Sequence, residues 1–162
     1  MFFNQDDPVA IHTLSMAGFR ILSDLAEKCE RSGVHAEFTS RIRPGKEKVF
    51  WGKFNSFANF LKHANEDPDT ISDQVEEEIN DSTLAIACIY YQDLGYKMTP
   101  EMVAMYGWYA STNPDVIDVE NAPKQFMELL QTRHNLMKDL SRKEQLIIGK
   151  ELIEMAKGLA LY

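Results

Sequence analysis

Apolar side chains recur at steps of three and four residues through most of this chain, and no stretch alternates convincingly. That period belongs to amphipathic helices and excludes half-buried strands. The longest such stripe runs through Ile11, Leu14, Gly18, Ile21, Leu22, Leu25 and Cys29 and ends near Gly33. Asp7-Pro8 opens it, pairing a capping carboxylate with a proline at the first helical position, where a missing N–H costs nothing. A second helix is expected from about Lys48 to Asn65. Phe50, Phe54, Phe57, Leu61 and Ala64 share one side, and Trp51, Ala58 and Phe60 widen it. So many rings in one segment mark a central core helix, which Asp67-Pro68 stops.

Between Asp69 and Asp81 the signals conflict. Ile71, Val75 and Ile79 are helically spaced, but the stretch is strongly acidic and holds two capping candidates, Ser72 and Asp81. Helix is expected from Ser82 to Leu94, with Gly95 as its stop. Thr99-Pro100-Glu101 starts the next, which carries Met102, Val103, Tyr106 and Tyr109 to the Asn113-Pro114 break. Asn121 stands at the cap of a fifth helix, with Phe126, Leu129, Leu130, Arg133 and Met137 on one face. Ser141-Arg142-Lys143-Glu144 has the form of a capping box and opens the last helix through Ile148, Leu152, Met155 and Leu159. Residues 34–46 alternate weakly before Pro44-Gly45 and read as a loop or a short extended piece. Five or six helices without a strand define an all-α bundle, and 162 residues suit a single domain spanning 1–162.

The net charge of -8 gives a field that repels a phosphate backbone. A nucleic-acid partner would need a local patch, and Arg41, Arg43, Lys46 and Lys48 form the one short basic run, read as a solvated loop. Cys29 and Cys88 both fall among apolar neighbours on helical patterns and form no metal knuckle, so each is expected to be a free, buried thiol. No segment has the apolar length of a membrane span, and the N-terminus lacks a signal-peptide pattern. The expected compartment is the cytoplasm.

Three ordered stretches carry a resemblance. DPVAIHTLSMAGFRILSDLAEK (7–28), NFLKHANEDPD (59–69) and LGYKMTPEM (94–102) resemble a family of uncharacterised bacterial all-helical proteins with the pattern DPxxxHTLxxAxxxILxDL, NxxKHAxxDP and TPE. The resemblance covers roughly the first two thirds of the chain and implies a helical fold without implying an activity. A weaker likeness is to the HEPN superfamily of helical bundles, some of them ribonucleases. Asn59 and His63 match its polar residue and histidine, but Ala58 stands where its arginine should be, and that guanidinium is what would hold a phosphate.

Asn59, Lys62 and His63 lie one turn apart on a face pointing away from the Phe50–Leu61 stripe, so they are the candidate catalytic residues. If the first two helices pack antiparallel, His12 joins them. Three readings compete. In the leading, structural one, Lys62 and His63 complement the helix C-terminus, Asp67 caps the next segment and His12 donates to a backbone carbonyl. In the second, His12 and His63 supply imidazole and Asp67, Asp69 or Asp81 carboxylate to zinc or iron. In the third, His63 with Lys62 does acid–base work on a phosphorylated substrate, as a hydrolase would.

Tyr90, Tyr91, Tyr96, Met98, Met102, Met105, Tyr106, Trp108 and Tyr109 form an aromatic and methionine cluster, expected to be core with partial dimer contact rather than a small-molecule pocket. There is no GxSxG, no glycine-rich phosphate loop and no cysteine set near a histidine. The leading expectation is therefore a non-enzymatic interaction or regulatory protein without a cofactor. It would be a homo-oligomer, most simply a dimer, with room for a further protein partner.

Overall fold

The computed structural model describes residues 1–29, 39, 44–45, 47–52, 54–55, 77–114 and 124–159. Asp7 accepts the N–H of Val9 at 3.0 Å, and α1 runs Pro8–Lys28 from that cap. Residues 47–52 and 54–55 are helical, and α2 spans Glu77–Asp93, α3 Pro100–Thr112, α4 Lys124–Met137 and α5 Arg142–Leu159. A short 3-10 turn, Phe2–Asn4, precedes them. The chain is an all-α bundle, with no strand among the described residues.

The local signals act as their chemistry requires. The α2 terminus closes through Gly95 at φ 92, with Gly95 N–H donating to the Gln92 carbonyl at 2.8 Å and Tyr96 N–H to the Tyr91 carbonyl at 3.3 Å. The Tyr91 and Tyr96 rings then pack in a tilted pair with centroids 5.0 Å apart, which supplies the apolar contact of a Schellman end. Thr99 Oγ1 accepts from Met102 N–H at the start of α3. At α5, Ser141 Oγ accepts from Glu144 N–H at 3.4 Å while the Glu144 carboxylate takes the Ser141 N–H at 2.8 Å. The Ser141 hydroxyl also donates to that carboxylate at 2.6 Å, and this bond first, then the backbone N–H, holds the Glu144 carboxyl below its ordinary value.

Helix α2 is already formed at Glu77, inside the stretch where the sequence signals conflict. Asp81 is consequently not a cap but a buried mid-helix residue. Packing also rotates α1. Leu14, Ile21 and Leu25 are 60%, 61% and 38% exposed and Cys29 is exposed, whereas Ile11, His12, Ser15, Met16, Phe19 and Ala26 are buried. The buried face is turned by roughly 100°, one residue's rotation, from the expected stripe. Two polar residues, His12 and Ser15, interrupt the true face in sequence. Both find internal partners, Ser15 Oγ donating to the His12 carbonyl at 3.0 Å and His12 meeting Asn80.

Two apolar clusters result, and α2 serves both. Ile86 and Tyr90 join Met16, Phe19, Ala26 and Phe54 in the first. Ala85 and Cys88 join Met105, Trp108, Tyr109, Leu146 and Leu152 in the second. The expected aromatic core helix contributes Phe54, 2% exposed, with Phe50 and Trp51 packed against it. Phe57, Leu61 and the rest of that stripe lie outside the described residues, as do Asn121 and the side chain of Phe126.

Candidate functional site

Helix α2 carries an uninterrupted pair of polar residues, Asn80 and Asp81, into the bundle interior, 2% and 3% exposed. Each must find a partner, because an unpaired buried polar group costs several kcal/mol. Asn80 Nδ2 donates to the Pro8 carbonyl at 3.0 Å, which turns its Oδ1 toward His12. A carbonyl oxygen only accepts, so His12 donates from Nδ1 across 3.0 Å. His12 is fully buried, and burial lowers its pKa, favouring the neutral ring that this bond fits. Its partner is a side-chain amide rather than the backbone carbonyl expected from sequence.

Asp81 takes a bidentate pair from Arg142 at the start of α5, Nη2 to Oδ1 at 2.6 Å and Nη1 to Oδ2 at 2.7 Å. The guanidinium lies 4.9 Å from the Trp108 ring and 5.6 Å from the Phe2 ring, so aromatic faces replace the water it has lost. Its Nε reaches Glu77 only at 4.0 Å. Burial pushes the Asp81 carboxyl up to about 6, opposed by Arg142 and assisted by Glu78 and Glu77. Trp108, wholly buried, donates its indole N–H to the Gln145 carbonyl at 2.7 Å. This network knits α1, α2, α3 and α5 together. Neither His12 nor Asp81 is open to a substrate, since a general base must approach its proton to hydrogen-bond distance.

Beside this network lies a half-open groove of about 470 Å³. Leu84, Ala87 and Cys88 of α2 form one wall, Met102 and Met105 of α3 another, and Ile153 of α5 a third, with Phe2 and Phe3 closing one side. The Cys88 thiol is pushed up to about 12 by burial, so it stays protonated and acts as apolar wall. The rim holds Glu101, Lys150, Glu154 and Lys157. Phe2 and Phe3 keep their place by edge-on contacts with Trp108 at 5.5 and 5.7 Å. Gly149 completes the seat, because a Cβ there would collide with the edge of the Phe3 ring.

The other sequence candidates divide clearly. Asn59, Lys62, His63, Asp67 and Asp69 lie outside the described residues, so the structure does not describe whether His63 meets His12. Among the described residues no three His, Cys, Asp or Glu side chains group as metal ligands would. Arg41, Arg43 and Lys46 of the basic run are also outside them. The expected buried thiol pair is half right, Cys88 being buried and Cys29 exposed. In the aromatic and methionine cluster, Tyr90, Met105, Trp108 and Tyr109 are core, while Met102 and Met105 also face the groove.

Sequence reasoning passed over Asn80 and took Arg142 only as part of a capping box. The signal for their role is an acidic residue flanked by core positions, which demands a cation from elsewhere. Sixty-one positions separate Asp81 from Arg142, so periodicity does not reveal it. No family model, no curated protein and no solved structure matches the chain. Among the described residues no helix is long and apolar enough to cross a membrane.

Proposed function

We propose that this chain is a non-enzymatic, cytoplasmic interaction protein whose working surface is the groove between α2, α3 and α5. The observation behind this reading is a contrast in accessibility. Two buried titratable groups, His12 and Asp81, are paired inside the protein, whereas the groove is open, apolar and edged with charge. Its size falls in the ordinary range for ligand clefts, and such clefts form between the helices of bundles. Methionine walls suit binding because an unbranched thioether adapts its shape.

Self-association belongs to the same proposal. The aromatics of α3 are mostly internal, but Leu136 and Met155, 68% and 58% exposed, border one shallow depression between α4 and α5. A second copy would meet the chain there. Sedimentation velocity should show a concentration-dependent dimer that Leu136→Glu weakens, and a strict monomer at high micromolar concentration would refute self-association. The groove is tested with N-phenyl-1-naphthylamine, an uncharged probe that fluoresces in apolar surroundings. One saturable site, lost in an Ala87→Trp variant that fills the groove, is the expected result. Unsaturable binding, or binding unchanged in that variant, would refute the groove reading.

A further inference from the structure

The four charges on the groove's rim, Glu101, Lys150, Glu154 and Lys157, sum to zero but are unevenly paired. Lys157 holds Glu154 at 3.0 Å and Glu101 at 3.9 Å, so one cation engages both rim carboxylates. The N-terminal amine is engaged by Asp6 at 3.7 Å. Lys150 lines the same groove, and among the described residues it has no acidic group within ion-pair distance. Most described lysines lie outside ion-pair distance of a carboxylate, so what singles out Lys150 is its place at the mouth of an apolar groove whose two rim carboxylates are both engaged by Lys157. We infer that the groove takes an amphipathic anion, a linear acyl-chain carboxylate, with its hydrocarbon against Met102, Met105 and Ile153 and its headgroup at Lys150.

The groove's dimensions favour a chain over a partner helix. Its α5 wall runs from Lys150 to Lys157, a rise of about 10.5 Å, little more than the diameter of one helix. A docked helix needs a longer trough for its i, i+4 and i+7 anchors. A single hydrocarbon chain fits a short, half-open groove, and each methylene it buries contributes to binding. Lysine suits the headgroup because its long stem lies along apolar surface while the ammonium stays at the mouth.

The inference rests on the groove reading and is tested so that the two fail separately. The full-length protein is loaded with N-phenyl-1-naphthylamine, then titrated with decanoate and with decyltrimethylammonium, each below its micellar concentration. Decanoate is expected to displace the dye at roughly fivefold lower concentration, in keeping with one partly exposed charge contact. Lys150→Glu, at an exposed position that leaves the fold intact by circular dichroism, should abolish or reverse that order when each displacement is referred to the dye affinity measured for the same variant. Dye bound but displaced equally by both amphiphiles, or an order unaltered by Lys150→Glu, would overturn the acyl-anion assignment and leave the groove reading standing. Failure of the dye and of decanoate to bind would overturn both.

Discussion

The two apolar clusters that share α2 are built on different chemistry. The first packs rings beside Met16, Ala26 and Ile86: Phe19 meets Phe54 at 5.1 Å and Tyr90 at 5.5 Å, both edge-on, and Phe54 meets Trp51 at 5.3 Å. The second surrounds Trp108 with Phe2, Phe3 and a guanidinium paired to a buried carboxylate, and it opens into a groove. Among the described residues, burial with edge-to-face contact is what stabilises the first. The second holds a charge in low dielectric and leaves apolar surface uncovered, features expected of a region that does more than hold the fold.

The comparison is broken most forcefully at its two centres. Phe54→Ala and Trp108→Ala should each cost about 3–5 kcal/mol in chemical denaturation, through lost transfer energy and a cavity. Removing Arg142 separates the regions. Arg142→Ala leaves the Asp81 carboxyl buried without its cation and should cost several kcal/mol, about 3–5 for a buried pair broken from one side. Replacing both, as in Asp81→Leu with Arg142→Met, should cost clearly less than Arg142→Ala alone. A double variant as unstable as the sum of its singles would mean that the pair is not coupled.

pH sharpens the same contrast. The folded-state pKa of Asp81 is raised, to about 6, so the folded protein holds this proton more tightly than the unfolded chain. Its contribution is fully present below about 4 and is lost as pH rises through about 6. The stability of the natural chain relative to Asp81→Asn should therefore fall across that window. His12 behaves oppositely. Its pKa is lowered by burial, so its contribution is present above the ordinary histidine value of 6.5 and is lost as pH falls through the lower folded value. Urea denaturation of the natural chain and the two single variants, Asp81→Asn and His12→Gln, across pH 4 to 7.5 reads both slopes. A rise toward pH 6 for the Asp81 difference would contradict the assignment.

Smaller effects probe the groove wall and the helix end. Gly149→Ala forces the Phe3 ring out of its seat and should cost about 1–3 kcal/mol, as overpacking does, with partial recovery when Phe3→Ala is added. Ser141→Ala removes half of the capping box and should cost about 1 kcal/mol. Ile21→Ser, on the exposed side of α1, should lie within about 0.5 kcal/mol of the natural chain.

How much of the fold is legible in the sequence depends on the range of each force. Asp7-Pro8, Thr99-Pro100, Gly95 and Ser141 to Glu144 act within one helical turn, and each sits at the helix end it announces. Periodicity misplaces the face of α1 because helical spacing admits two overlapping stripes. The choice between them is made by Phe54 and Tyr90, which approach Phe19 from distant parts of the chain. The polar residues His12 and Asn80 reinforce that choice, and no hydrophobic pattern scores them as interior. The Asp81 to Arg142 pair and the groove depend on how α2, α3 and α5 converge, which is a property of tertiary packing alone.

The central claim, that the second cluster is the binding region and the first is scaffold, is tested most directly with methyl-labelled methionine. Met16 reports on the first cluster, and Met102 and Met105 report on the groove. Titrated with decanoate and followed by methyl NMR, Met102 and Met105 should shift progressively to saturation while Met16 stays fixed. A saturating shift at Met16 with Met102 and Met105 unmoved would contradict the account.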